Sequence, residues 1–283
     1  MSLRKSKSSL VNKRIVVFGG AGSIGSELVR QLAGKNKVYV VDINESGIFD
    51  LVDSIGSKKV WGRVGDIRDA KTVHDVFEDF RPQIVYNAAA YKHVPLMEYT
   101  PMEAIQTNII GHYNIIHSAK THRETLEKFV YISTDKVVNS RSVMGASKRI
   151  GEILTLNQGK GYLAVRFGNV VGSRGSLSTI WDRQFANGEP LTITDKRMER
   201  YMMSVEQAVG LVIEATVKGE GGEIFILDMG KKVNILDLKN QLYGEDYPVK
   251  YIGIRPGETL TEETMFEEEK ARAITKGSFI VIK

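Results

Sequence analysis

Two periods of apolar and polar positions alternate along this chain. Short β-rich apolar runs at RIVVFG (14–19), VYVVDI (38–43), VWGRVGDI (60–67), QIVYNAAA (83–90), KFVYIST (128–134), YLAVRFGNV (162–170) and EIFILD (223–228) read as strands. Between them SELVRQLAG (26–34), DAKTVHDVFEDF (69–80), a long stretch over 101–119, MGASKRIGEILTLN (144–157) and SVEQAVGLVIEATV (204–217) carry helical spacing. Strand–helix alternation predicts an α/β fold: a doubly wound parallel sheet with right-handed crossovers. After residue 170 the rhythm weakens, and GNVVGSRGS and NGEPLTITDKRMERY read as loops and short pieces. The expected organisation is a basic tail over 1–13 and a main domain over 14–170, to which 203–230 return. A smaller lobe is expected from 171–202 and 231–283.

Composition narrows the chemistry. The 283 residues are 42% hydrophobic and 26% charged, ordinary for a globular chain that can bury a full core. There is no cysteine, which excludes disulfides and thiolate metal sites. The five histidines show no HExxH spacing, and His112 and His117 diverge on a helix, so no metal is expected. The net charge of +5 is concentrated in MSLRKSKSSLVNKR and reads as a solvated tail rather than a nucleic-acid surface; no aromatic platform stands beside it. No apolar run approaches the roughly 18–20 residues of a membrane span, and the first ten residues lack the apolar core of a signal peptide. The expectation is a cytoplasmic protein. The acidic residues Glu262, Glu263, Glu267, Glu268 and Glu269 read as a solvated helix face.

The first strand runs into GGAGSIGSE, where Gly19, Gly22 and Gly25 open an amphipathic helix through Ser23 and Ile24. Strand, glycine turn and helix N-terminus together make a cradle for a dinucleotide pyrophosphate. Asp42 ends the second strand, 17 residues after Gly25, where a carboxylate can accept both hydroxyls of an adenosine ribose. It would repel a 2′-phosphate, and Ile43-Asn44 offer no arginine to hold one, so the reading leans to NAD with NADP possible. Asp66 and Ile67 close the third strand and are placed to bracket adenine. Ala88, Ala89 and Ala90 let the dinucleotide lie close to the fourth strand.

Six motifs follow one another in order: GGAGSIGSE, NAAAYKHVPLME, STDKVVNSRSVMGASKR, RFGNVVGSRGS, ITDKRMERYMMS and IRPGE. Together they closely resemble the extended short-chain dehydrogenase/reductase superfamily. Within it the chain resembles the CapD-like polysaccharide-biosynthesis branch, the UDP-N-acetylglucosamine 4,6-dehydratases, from about residue 12 onward. The resemblance implies oxidation at C4 of the sugar, loss of water across C5 and C6, and return of the hydride to C6. It also implies a homodimer or higher homo-oligomer, and only the soluble catalytic part of relatives that carry a membrane region.

The superfamily pairs a tyrosine with a lysine four residues on. Here the pair is Met144 and Lys148. By resemblance Lys148 keeps the nicotinamide ribose, while Met144 takes no proton, which leaves the first base open between Asp135 and a relay through Thr134 and water. By the same resemblance Thr134 holds the C4 oxygen, Asp135 is the acid for the C6 hydroxyl, and Lys136 takes the C5 proton. That last role needs Lys136 neutral, with a depressed pKa. Lys92, Asn169, Arg174, Thr194, Arg200, Arg255 and Glu258 are the expected contacts of the UDP-sugar: guanidiniums suit a diphosphate and a carboxylate suits ribose hydroxyls. His93 reads as equally suited to packing, and Asn108 as a support of the site. A UDP-sugar 4-epimerase is the nearest alternative, and a non-catalytic dinucleotide-sensing protein the alternative of another class.

Overall fold

The computed structural model describes residues 10–283; most of the expected basic tail lies outside them. The described part of that tail is anchored at Leu10. Leu10 is buried, and its carbonyl accepts a hydrogen bond of 3.1 Å from Asn36 Nδ2, so the globular body begins earlier than residue 14.

Six parallel strands form the heart of the main sheet: β1 (Arg14–Phe18), β2 (Lys37–Asp42), β3 (Val60–Val64), β4 (Ile84–Asn87), β5 (Lys128–Ile132) and β6 (Tyr162–Arg166). They lie in the spatial order β3-β2-β1-β4-β5-β6, with the chain reversing direction of travel between β1 and β4. Glu223–Leu227 adds a parallel strand beside β6. Two antiparallel strands, Phe279–Ile282 and Ala273–Thr275, finish that edge. Residues 273–282 therefore belong to the main sheet and not to the lobe in which they were expected.

Both sheet faces are covered, as the unbroken apolar strand runs require. Helices α1 (Ser23–Ala33) and α2 (Glu45–Ile55) and the helix Val205–Lys218 cover one face through Leu28, Leu32, Leu51 and Val212. On the other face α3 (Ala70–Phe80) contributes Val73, Val76 and Phe77. Helix α2 escaped the sequence reading because it leaves Phe49 exposed and buries only Ile48 and Leu51 fully.

A short helix α4 (Val94–Tyr99) precedes the expected helix over 101–119, which is three pieces: α5 (Pro101–Ala104), a π-helical stretch Ile105–Gly111 and α6 (His112–Thr121). The π stretch turns Asn108 inward, where it is buried. Its amide clamps the Tyr91 backbone on both sides, at 2.8 Å and 3.0 Å, and donates to Ser147 Oγ at 2.9 Å. Ser147 lies on α7 (Val143–Leu156), whose first turn is capped by Ser142. The strand expected over 162–170 breaks at Phe167-Gly168, and Asn169–Val171 pairs instead with Met202–Ser204. Leu177–Ala186 and Ile235–Tyr243, to which the sequence pattern assigns no element, are helices that pack Trp181, Leu191, Ile193 and Ile235 into a core of their own.

The acidic end is not a solvated face. Glu269 is buried and its carboxylate meets Arg166 at 2.8 Å, while Glu152 meets the same guanidinium at 2.8 Å from the other side. Arg149 adds contacts to both carboxylates, and Arg166 also donates to the Thr264 carbonyl. Glu262 is likewise buried; Glu263, Glu267 and Glu268 are exposed or half-exposed. Among the described residues no helix is long and apolar enough to cross a membrane.

Removing one partner from a buried charged cluster leaves the others desolvated and unpaired, at a cost of about 3 kcal/mol or more. Glu269→Ala is expected to lower unfolding stability by that amount in urea titration, whereas Glu267→Ala, on the exposed side of the same turn, should shift it by less than about 0.5 kcal/mol.

Candidate active site

A cleft opens at the C-terminal ends of β1, β2, β3 and β4, where the strand order reverses. Gly19, Ala21, Gly22, Asp42, Ile67, Arg68, Ala88–Ala90 and Arg174 are among the residues that line it. Its glycines are sterically required. Gly19 has φ +74°, and a Cβ there would strike the backbone of Ala89; a Cβ on Gly25 would strike the Gly19 carbonyl. The turn thus lets α1 begin directly against the sheet, with its first N–H groups at the cleft. Asp42 is fixed by backbone donors, Ala21 N–H to Oδ2 at 2.9 Å and Asn44 N–H to Oδ1 at 3.0 Å. The donor set fits a dinucleotide: a pyrophosphate at the glycine turn and ribose hydroxyls at Asp42.

Three details depart from the expected cofactor end. Asp66 is engaged by Arg68, Nη2 to Oδ2 at 2.6 Å and Nε to Oδ2 at 2.7 Å, and the side-chain hydrogen bond holds its carboxyl below the usual range. Arg68, which the reading passed over, thus presents a planar guanidinium in the cleft. Arg174 also lines this cleft rather than a separate sugar-nucleotide pocket; its N–H donates to Ser23 Oγ at 3.0 Å. Ile24 and Gly25 stand behind the lining, Ile24 packed on the core and Gly25 supporting the turn.

Behind the fourth strand, Asn87 donates to His112 Nδ1 at 2.8 Å, and Asn87 Oδ1 accepts from Ala89 N–H at 3.1 Å. Burial and then the neighbouring Lys148 push the His112 pKa down to about 3, so the ring is neutral and its Nε2–H donates to Gly151 and Thr155. His112 is a support that histidine spacing alone did not reveal. Lys148 is buried, donates to the Ile132 carbonyl and lies 4.1 Å from the centre of the Tyr131 ring. Met144 is also buried, packed with Met97 and Ala104.

At the end of β5 the STDK motif forms one hydrogen-bonded group. Ser133 donates to Glu152 at 2.6 Å, which ties the motif to the Arg166 cluster. Thr134 Oγ donates to Asp135 Oδ1 at 3.0 Å. Lys136 Nζ reaches the same oxygen at 3.0 Å, Asn169 Oδ1 at 2.9 Å and Glu262 at 3.6 Å. Asp135 is fully buried, and among the described residues its Oδ2 has no hydrogen-bond partner. Burial works against charge on Lys136, but Asp135 and Glu262 outweigh it and raise its pKa. The expected depressed pKa therefore belongs not to Lys136 but to Lys148, which burial lowers to about 7. Lys92 lies near, 3.3 Å from Ser173 Oγ, its pKa lowered by desolvation and by the charge of Lys136.

The residues expected to hold the sugar nucleotide are otherwise committed. Arg200 is buried; three of its five N–H donors go to the carbonyls of Glu199, Thr259 and Leu260 at 2.6–3.0 Å and its Nε faces Glu262 at 3.5 Å, so it is largely committed within the chain. Arg255 and Glu258 pair with each other at 2.5 Å. Their loop seats Gly257 against Val94, Glu98 and Ser142, over the start of α7, and places Arg255 where its charge lowers the His93 pKa after desolvation. Thr194 is nearly buried, its carbonyl accepting from Gly253 N–H at 3.1 Å.

The Lys148 shift has a stability consequence of definite sign. Its folded pKa, about 7, lies below its ordinary 10.5, so the unfolded chain binds more protons between these values. The burial penalty is full below about pH 7 and is relieved as pH rises toward 10.5. Lys148→Met should remove this part of the pH dependence. In urea titrations at about pH 6 and about pH 9.5, the stability gain of Lys148→Met over wild type should be larger at the lower pH.

A family model described as polysaccharide biosynthesis protein matches residues 15–283. Capsular polysaccharide biosynthesis protein CapD of Staphylococcus aureus is 42% identical over 280 residues, covering 92% of this chain and 46% of CapD. The chain thus spans about half the length of that relative. A UDP-glucose 4-epimerase of Rickettsia prowazekii is 32% identical over 286 residues, 95% of this chain and 82% of the epimerase. Among solved structures, the X-ray structure of Pen from Bacillus thuringiensis superposes with a TM-score of 0.88 at 32% identity, covering 96% of this chain and 88% of Pen. The nucleotide cleft at the strand reversal, the STDK rim and the buried lysine of α7 agree with these matches: the chain belongs to the polysaccharide biosynthesis protein family, as a CapD-like extended short-chain dehydrogenase/reductase.

Proposed function

We propose that this protein is an NAD-dependent UDP-N-acetylglucosamine 4,6-dehydratase that forms a UDP-4-keto-6-deoxy-N-acetylhexosamine for surface polysaccharide or glycoconjugate synthesis. The observation that carries the reading is the pairing of Asp135 and Lys136 at one hydrogen-bonded point on the β5 rim. Elimination of water needs one group to give a proton to oxygen and another to take a proton from carbon. An epimerase needs neither of these at C5 and C6.

NAD, when bound, supplies what no side chain here has: it takes hydride from C4 of the sugar and gives it back at C6. The side chains manage protons. With methionine in the tyrosine's place, the C4 hydroxyl proton passes to Thr134 as the Thr134 proton moves to Asp135, along the 3.0 Å hydrogen bond already present. The full burial of Asp135 favours this relay over direct contact with the substrate. Asp135 then returns the proton through Thr134 to the departing C6 hydroxyl, and Lys136, as the neutral amine, takes the C5 proton. Lys148 holds the nicotinamide ribose, and Met144 fills the space beside it without charge. On the substrate side Asn169 and Lys92 adjoin Lys136, and Arg255 and Glu258 serve the diphosphate and ribose once their mutual pair opens. The face shared by α6 and α7 leaves Tyr113, Ile150 and Ile153 exposed, which supports assembly as a homodimer or higher homo-oligomer.

The second reading, a UDP-sugar 4-epimerase, is favoured by the 32% identity to the Rickettsia prowazekii enzyme over most of both chains. One experiment separates the two. The protein is incubated with NAD and UDP-N-acetylglucosamine deuterated at C4, and the sugar is followed by NMR. Deuterium arriving at C6 with a 4-ketone is the expected result. A C4-inverted sugar would establish the epimerase, and bound NAD without turnover the sensing protein. Gly25→Ala should weaken NAD binding by at least tenfold in calorimetry, because the added methyl displaces α1 from the Gly19 carbonyl.

A further inference from the structure

Glu262 connects the acidic end of the chain to the STDK rim. Its carboxylate lies between two cations, 3.6 Å from Lys136 Nζ and 3.5 Å from Arg200 Nε. Arg200 cannot follow a moving partner, because its other nitrogens are held by three backbone carbonyls. Glu262 is therefore fixed from one side and offers its charge to Lys136 on the other.

Four charged groups bear on Lys136, each from a different part of the chain. Asp135 comes from its own turn, Glu262 from the segment after Leu260, Arg200 from the strand Glu199–Arg200, and Lys92 from the loop after β4. The two carboxylates make direct contact, at 3.0 Å and 3.6 Å. In the resulting balance the ammonium form of Lys136 is favoured in spite of its burial.

The proton ledger of the dehydration, on which this inference rests, makes that preference matter. The relay through Thr134 ends with the C4 hydroxyl proton on Asp135, so Asp135 must begin as the carboxylate. Lys136 must be the free amine when the C5–H bond breaks, since its nitrogen lone pair forms the new N–H bond. Asp135 gives its proton back through Thr134 to the C6 oxygen as the C6–O bond breaks, and water leaves. When Lys136 hands its proton back to C5, the pair is again carboxylate and amine. The working pair thus holds one proton fewer than the ion pair in the structure, and that proton must leave before the first turnover.

We propose that Glu262 is a positioning residue that holds Lys136 as the ammonium ion before turnover and thereby sets the pH above which turnover can begin. The test is the pH profile of kcat/KM for 4-keto-6-deoxy product formation in wild type, Glu262→Gln and Glu262→Asp. Removing the negative neighbour lowers the Lys136 pKa, so the amine is present at lower pH. The acid limb of Glu262→Gln should move down by on the order of one pH unit, with the rate at high pH largely kept. Glu262→Asp, whose carboxylate stands one methylene farther away, should move the limb in the same direction by less; it serves as the test if thermal unfolding shows Glu262→Gln to be misfolded. An acid limb that stays at the wild-type pH in a folded variant would overturn the proposal, as would an equal loss of rate at every pH. Absence of any dehydration by the wild type would instead overturn the reading of the reaction, and this inference with it.

Discussion

The working end of this molecule depends on one buried cation. Arg166, fully buried at the end of β6, holds Glu152 of α7 and Glu269 of the C-terminal segment on its two sides. A lone guanidinium there would be severely destabilising, and either carboxylate alone would be too. Together, with Arg149 and the Thr264 carbonyl, they compensate one another. Through Ser133 the same cluster fixes the rim on which Thr134, Asp135 and Lys136 stand. Rim geometry, the seating of α7 and the return of the C-terminal chain are thus set by one arrangement of charges.

That arrangement also sorts the two lysines of the site. Lys148 is buried with a backbone carbonyl as its hydrogen-bond partner, and desolvation dominates. Lys136 is half-buried between two carboxylates, and their charge dominates. The same side chain, less than four turns of helix away in sequence, is pushed in opposite directions by what surrounds it. Burial alone does not predict a lysine's protonation state; the count of nearby carboxylates decides it.

Local patterns carried most of the fold and the cofactor end. Apolar runs and the glycine turn are consequences of neighbours in sequence, so the parallel sheet, the Gly19–Gly25 cradle and Asp42 were legible. What was not legible depends on partners far away in the chain. Glu262 and Glu269 read as solvated because acidic residues usually are, and nothing nearby in sequence announces Arg166 or Arg200. Arg200 and Arg255 read as phosphate ligands because their type suits one, but type does not reveal that carbonyls or Glu258 already take their donors. The break at Gly168 was hidden by the continuous apolar run around it, and the π-helical turn at Asn108 by a helix-like pattern.

The clasp between Arg166 and Glu269 spans 103 residues of sequence. Such a contact closes a long loop and cannot form while the intervening chain is still being made. On the ribosome the glycine cradle and β1 to β6 can assemble earlier, since these strands all lie before Phe167. The STDK rim cannot be fully braced then, because the second carboxylate on Arg166 arrives only with residue 269. The nucleotide half of the cleft can therefore take shape well before the STDK rim is fully braced, and until then Arg166 shares Glu152 with Arg149 and Ser133 and lacks its second carboxylate.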